Sequence, residues 1–131
     1  MTSAEPQTAP ATVVAAGELL AADPTPGMAR AVAIDAPRMW SGTVDTEPGA
    51  VSGWHHHGDH DTTIYVVSGR MRLQCGPAGE VVVEAGPGDF IHVPANAVHR
   101  ESNPGAEPSH AVLVRGGTGP PTTNVDGPAA G

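Results

Sequence analysis

The sequence is poor in several residue types on which whole classes of protein depend. It has four aromatic residues, one cysteine, and six arginines without a lysine, against 14 acidic residues. The resulting net charge of −8 disfavours binding to nucleic-acid phosphates or to anionic membrane surfaces. A single cysteine, Cys75, excludes an intrachain disulfide framework and is typical of a reducing compartment.

Long apolar runs are also missing. The uninterrupted apolar stretches are a few residues long, far below the about 20 residues of a membrane span. The first residues, MTSAEPQTAP, have neither the basic start nor the apolar segment of a secretory signal. We therefore expect a cytoplasmic protein with no membrane partner and no nucleic-acid partner.

Glycine and proline are abundant instead, with 17 and 14 copies in 131 residues. This density argues against a helical bundle. Turn signals such as EPGA, CGPAGE and NPGAEP recur between short strand-like runs, which predicts an all-β fold, a barrel or a sandwich. The predicted strands cover residues 12–16, 30–34, 40–44, 52–57, 62–68, 70–75, 80–84, 89–93, 99–102 and 110–115.

Composition divides the chain into three segments. Residues 1–11 consist mainly of Pro, Ala, Thr and Ser and are expected to form a disordered leader. Residues 12–115 are expected to form one β-barrel, a size at which a single core is sufficient. Residues 116–131 are poor in core residues and are expected to form an extended C-terminal arm.

Histidines are concentrated in one segment, WHHHGDH, at residues 54–60. Alternate side chains of a strand share a face, with Cα atoms roughly 6.6 Å apart. His55 and His57 can therefore bind one ion together, whereas His56 points away. Because His-rich tracts also occur on protein surfaces, this pair alone leaves the metal site and the surface tract equally open.

A wider spacing surrounds this histidine pair. Gly49 precedes His55 by five intervening residues, four residues separate His57 from Thr62, and six more lead to Gly69. This spacing resembles the first motif of the cupin superfamily, except that Thr62 stands in place of the family's glutamate.

A second motif follows after an 18-residue gap. Gly88, Pro94, Asn96, His99 and Asn103 are spaced as in the second cupin motif, with Asn96 where the family commonly has glycine. Asparagine is the next best residue for a left-handed backbone conformation, which accounts for this difference. The resemblance covers residues 49–103 directly.

The resemblance implies a small antiparallel β-barrel of the jelly-roll, or double-stranded β-helix, type. It also implies one divalent metal ion inside the barrel, with His55, His57 and His99 as ligands. The family's glutamate ligand has no equivalent, because the neutral hydroxyl of Thr62 competes poorly with water for a divalent cation.

Three alternatives could fill the vacant ligand position. His60 lies two residues before Thr62 and would share its face of a strand. Asp61 carries the right charge but faces the other way unless a bulge rotates it. Water is the third alternative. Without a carboxylate the ion keeps its full charge, which favours an anionic substrate and leaves adjacent coordination positions open.

The resemblance favours Fe(II), because cupins with three-His sites include iron-dependent dioxygenases; other cupins use Zn, Mn or Ni. The expected function is that of a mononuclear Fe(II) dioxygenase-type oxidoreductase acting on a small, anionic organic molecule. The alternatives are a non-redox isomerase, cyclase or lyase, and a cupin that binds a small ligand without turnover. Because cupins commonly pair through edge strands, a homodimer is also expected.

Two further residues are candidates for catalysis. Glu101 lies two residues beyond His99, should share its inward face, and could act as a general base. The alternative for Glu101 is an ion pair with an arginine such as Arg30 or Arg72. His92 could line the pocket; the alternative is a partly buried imidazole bonded to a backbone carbonyl.

Two arginines could recognise an anionic substrate. Arg100 and Arg115 could each receive a carboxylate by bidentate pairing. With six arginines against 14 acidic residues, pairing at the surface is the default expectation for both.

Overall fold

The structure, a computed structural model, describes residues 9–23 and 25–128. Within these ranges the chain forms eleven β-strands and one turn of 3-10 helix at Ala16–Glu18. The strands are β1 (Leu20–Ala21), β2 (Met28–Ala36), β3 (Met39–Thr46), β4 (His55–His56), β5 (Asp61–Ser68), β6 (Met71–Cys75), β7 (Val81–Ala85), β8 (Phe90–Val93), β9 (Arg100–Ser102), β10 (Ser109–Gly116) and β11 (Thr123–Asn124).

The strands form antiparallel sheets that bury a common core. The largest sheet has the order β1-β2-β3-β10-β5-β8, the second has the order β7-β6-β9, and a short ladder pairs β11 with β4. A backbone bridge between His55 and His99 links β4 to the residue before β9. The fold is a jelly-roll β-barrel, and the all-β prediction is confirmed.

The core follows from the alternation of side chains along each strand. Along β5, for example, Thr62, Ile64 and Val66 are buried and the residues between them are exposed. The buried apolar side chains come from both large sheets: Met28, Trp40, Val44, Ile64, Val66, Met71, Leu73, Ala85, Ile91, Val93, Ala111 and Leu113. Polar side chains of the same inward face, Thr62 and Arg115 among them, lie beside this apolar core.

Most predicted strands are present, with differences at the two ends of the chain and at the first histidine motif. The strand predicted at residues 12–16 is wrong: residues 12–15 are irregular, and Val13 is 88% exposed with no strand to pair with. The run predicted at 52–57 shortens to β4. The two-residue strands β1 and β11 have no sequence signal because they are held only by their partners. Residues 1–8, within the predicted leader, lie outside the described residues.

None of the helical segments described in the structure has the length and apolar character required to cross a bilayer.

Candidate metal centre

The backbone brings the two histidine motifs together. His55 and His99 exchange backbone hydrogen bonds of 2.9 and 2.8 Å, which sets their imidazoles side by side with ring centroids 4.3 Å apart. The ring of His57, just after β4, lies 5.3 Å from that of His55 and 4.8 Å from that of His99. All three residues are buried, and one ligand nitrogen from each lies within 4.8 Å of the others.

Each of the three imidazoles is oriented through its Nδ1 atom. Nδ1 of His55 and Nδ1 of His99 each lie 2.9 Å from a backbone carbonyl oxygen, to which a protonated Nδ1 donates. Nδ1 of His57 lies 2.6 Å from Oγ1 of Thr62. An Nδ1 that donates its proton leaves Nε2 with its lone pair and fixes its direction, as is usual for metal-binding histidines.

The Nε2 atoms meet the chemical requirements of a metal site. Nε2 of His57 and Nε2 of His99 are completely buried and have no hydrogen-bond partner among the described residues. A buried polar atom without a partner lowers the stability of the folded protein by about 1–3 kcal/mol, and a bound metal ion would relieve this cost. Imidazole nitrogen suits several divalent transition metals. The residues present therefore fit one divalent ion, and the protein has a three-His site.

Electrostatics keep these histidines neutral. Burial lowers the pKa of His57 to about 2 and that of His99 to about 4, and it also lowers the pKa of His55. The nearby guanidinium of Arg115 adds to the lowering at all three rings, whereas Glu101 acts in the opposite direction on His55 and His99. Neutral imidazole is the form that binds metal, so no proton has to be removed at neutral pH.

Thr62 stands at the position of the glutamate of the first cupin motif. It is fully buried, and its hydroxyl is hydrogen-bonded to Nδ1 of His57. His60 lies outside the three-His group in the described structure, and its role as a fourth ligand stays a prediction. β5 begins only at Asp61, so His60 belongs to the preceding turn, and its Nδ1 contacts the carbonyl oxygen of His57 at 2.9 Å. The Asp61 side chain is 66% exposed and faces His92.

Glu101 lies on the inward face, as its spacing from His99 predicts, and is 3% exposed. Its Oε1 atom accepts a hydrogen bond of 3.0 Å from Nη2 of Arg30. The ion pair with Arg30 is one of the two alternatives that the sequence left open. It places a buried carboxylate in the same cavity as His55.

His92 lies on the outer face of the barrel, and its role as a catalytic residue stays a prediction. In β8 the side chains of Ile91 and Val93 point inward, so the residue between them points outward. The His92 side chain is 65% exposed, and its Nε2 lies 3.0 Å from Oδ1 of Asp61.

A cavity of about 450 Å³ adjoins the three-His site on the side of His55. Its charged lining comes from Arg30, Glu101, Arg115 and, at an exposed position, Asp23. The remaining lining residues include the apolar Val32, Trp40, Val44 and Leu113, and the C-terminal residues Pro121, Thr122 and Asn124. Sequence reasoning missed the C-terminal contribution, since a two-residue strand leaves no pattern to detect.

A second cavity of about 460 Å³ reaches the site from the side of His99. Its lining is mostly apolar and comes from β6, β7, β8 and the segment that follows β8. His92 belongs to its lining but, being exposed, lies toward solvent. The three-His site is thus flanked by one charged and one apolar cavity.

A family model described as "Cupin domain" matches residues 42–115. The chain belongs to the cupin family. The match spans both histidine motifs and the strands from β3 to β10, which agrees with the geometry of the three-His site. No curated protein matches the sequence.

Solved structures of other cupins have the same fold. KdgF from Halomonas sp. is 22% identical, with a TM-score of 0.68 over 82% of this chain and 96% of that chain. An uncharacterised conserved protein with a double-stranded β-helix domain from Klebsiella pneumoniae is 23% identical, with a TM-score of 0.68 over 80% and 85%. Oxalate decarboxylase of Bacillus subtilis, described with Mn(II) centres, is 21% identical, with a TM-score of 0.70 over 81% of this chain and 30% of that chain. Identities this low show the fold alone.

Proposed function

We propose that this cupin is a metal-dependent enzyme that acts on a small organic molecule in the cavity beside the three histidines. The observation that carries the proposal is the pair of buried, unpartnered Nε2 atoms of His57 and His99, directed together with His55. The adjoining cavity of about 450 Å³ has the size and the mixed polar and apolar lining of a small-molecule site.

The finer proposal is a mononuclear Fe(II) dioxygenase-type oxidoreductase. A bound Fe(II) ion would supply redox chemistry with dioxygen, whereas Zn would act only as a Lewis acid. The histidines would hold the ion with neutral donors only, since Thr62 contributes no charge. The Val and Leu side chains of the cavity would exclude water from the substrate, and the charged side chains opposite would orient it.

A second candidate function is a non-redox isomerase, cyclase or lyase, and the position of Glu101 favours it. Its buried carboxylate lines the same cavity as His55, where a general base would have to stand. Arg30 binds Oε1 of Glu101, which holds the carboxylate in one orientation. The other carboxylate oxygen would then accept a proton from a carbon next to a polarised carbonyl group.

The deciding experiment starts with elemental analysis of protein purified without a histidine tag. Iron near one atom per chain, with oxygen uptake on a diketone, thiol or catechol, would support the dioxygenase. Zinc together with oxygen-independent turnover would support the second candidate, provided that Glu101→Gln abolishes the turnover. The control Glu47→Gln, at an exposed carboxylate that lines neither cavity, should preserve it.

A protein that binds ligands but leaves all of them unchanged would be a binding module, which would overturn both enzymatic proposals. Metal that only stabilises the fold would be revealed by unfolding after chelation without any associated activity. We also propose a cytoplasmic location, which the single cysteine supports.

A further inference from the structure

Arg115 is a buried arginine on the inner face of the barrel, where apolar residues are usual. It is 6% exposed and lies in β10, directly opposite Thr62 of β5 on one side and Trp40 of β3 on the other. Its guanidinium carbon is 4.2 Å from the centroid of the Trp40 ring. This stacking fixes the plane of the guanidinium group and leaves its edge free for hydrogen bonds.

Arg115 and Arg30 share one buried carboxylate in the cavity, that of Glu101, which acts on Arg115 but is hydrogen-bonded to Arg30. Arg30, the other arginine of the cavity, is neutralised by Glu101 at 3.0 Å, and Asp23 is exposed. Arg115 forms no ion pair in the described parts of the chain, and its Nε is buried without a hydrogen-bond partner. A buried, unpaired cation is costly, so its presence in a cavity indicates an anionic partner from outside the chain.

The residue at position 62 explains why Arg115 has no carboxylate opposite it on β5. Residues directly opposite on antiparallel strands have Cβ atoms about 4.5–5.5 Å apart. The glutamate that the family's first motif carries at this position would therefore face the guanidinium of Arg115. Thr62 brings no charge, and its hydroxyl is engaged with Nδ1 of His57.

We propose that Arg115 binds a carboxylate group of the substrate, and that the threonine at position 62 keeps Arg115 available for it. The substrate class is then a small organic carboxylate. Its anionic group lies at the guanidinium of Arg115, and its carbon skeleton packs on Trp40 and Leu113, which line the same cavity. This inference rests on the proposed function, because it places the ligand next to the three-His site.

The test is binding of acetate to the zinc-loaded full-length protein, followed by NMR chemical-shift changes. Acetamide, which has the same shape without the charge, is the matched ligand control. We expect saturable shifts with acetate and a Kd at least about tenfold higher for acetamide. A hydrogen bond between two charged groups is stronger than one to a neutral group, and the difference in free energy corresponds to about this factor in Kd. Equal affinity for the two would overturn the proposal.

Arg115→Gln is expected to weaken acetate binding about tenfold while zinc stays near one per chain. Arg100→Gln is the matched control, because Arg100 also stacks on a tryptophan, Trp54 at 4.6 Å, but does not line the cavity. Unchanged acetate affinity in Arg115→Gln would mean that the anion binds the metal alone, which would overturn the inference and leave the proposed function intact. Absence of zinc from the wild-type protein would instead count against the proposed function.

A second pair of variants does not remove the buried arginine. Thr62→Glu places a carboxylate opposite Arg115 and is expected to weaken acetate binding about tenfold, whereas the neutral Thr62→Gln, of nearly the same size, should retain most of it. Wild-type affinity in Thr62→Glu, or an equal loss in Thr62→Gln, would overturn the proposal.

Discussion

Individual histidines in this protein differ in role because their Nδ1 atoms differ in partner. Nδ1 of His55, His57 and His99 bonds to neutral oxygen atoms that fix the rings, and their Nε2 atoms form the three-His group. His60 is equally buried and bonds to a backbone carbonyl in the same way, yet its position in the turn before β5 keeps it out of the group. Burial and a hydrogen bond at Nδ1 therefore do not by themselves bring a histidine into the group.

His99→Ala removes one of the three proposed donors and is expected to reduce bound metal well below one atom per chain. The measurement is elemental analysis after dialysis against a chelator, with circular dichroism to verify folding. His60→Ala is the matched control, a buried histidine a few residues from His57 but outside the group. Full metal occupancy in His99→Ala would reject the ligand assignment, and loss of metal in His60→Ala would confirm His60 as a further ligand.

At the scale of the strands, the wall of the charged cavity depends on close packing between β2 and β3. Gly42 of β3 lies opposite Val32 of β2, and a Cβ atom at position 42 would overlap the carbonyl oxygen of Ala31 and approach Cη2 of Trp40 to 2.7 Å. Only glycine leaves space there for the Trp40 ring. Because Trp40 stacks on Arg115, this packing also positions the guanidinium group.

Gly42→Ala is expected to destabilise the protein by about 1–3 kcal/mol, since the added methyl group meets backbone that cannot move aside. Urea unfolding followed by circular dichroism measures the change. Gly116→Ala is the matched control at the end of β10, where a Cβ atom meets nothing within 4 Å, and it should change stability by less than about 0.5 kcal/mol. Equal effects of the two substitutions would show that the space around Gly42 is not limiting.

At the scale of the whole molecule, the stability of the metal-free protein depends on pH through its buried imidazoles. Burial holds the pKa of His57 at about 2 and that of His99 at about 4 in the folded state, both below the ordinary value of 6.5. As the pH falls below 6.5 the unfolded chain takes up protons that the folded chain cannot, so stability declines toward the folded-state pKa values.

Between neutral pH and pH 5, each of these two histidines is expected to lower the free energy of unfolding of the metal-free protein by roughly 2 kcal/mol. Urea unfolding of chelator-treated protein between pH 7.5 and pH 5 measures the decline. His99→Asn should reduce the number of protons taken up on unfolding by about one, so that stability declines less steeply with falling pH. The same substitution at the exposed His92 serves as the control. Constant stability across this range would contradict the prediction.

The homodimer remains a prediction, and exposed apolar side chains at two outer strands support it. β7 and β8 are the end strands of their sheets; Val82 is 50% exposed and Phe90 is 69% exposed. We expect twice the monomer mass by light scattering, and a monomer after Val82→Arg together with Phe90→Arg. Val114→Arg, on the central strand β10, is the control. A monomeric wild-type protein would contradict the prediction.

Local patterns in the sequence were sufficient for most of the fold. The turn signals and the period-two alternation placed the strands from β2 to β10, because both act over a few residues. Asn96, predicted to adopt a left-handed conformation in place of glycine, has a φ of 60°. Alternation along a strand paired His55 with His57, and the resemblance of the two spaced motifs to those of cupins added His99.

The rest depended on contacts between distant parts of the chain. The alternation along β5 could not be extended back to His60, because a turn interrupts the strand, and the outward face of His92 follows from the pairing of β8 with β5. The sequence by itself thus determined which residues could meet. Only the tertiary structure decided that Arg115 faces Thr62 without a counterion, because strand register across a barrel is set by long-range pairing that no local pattern encodes.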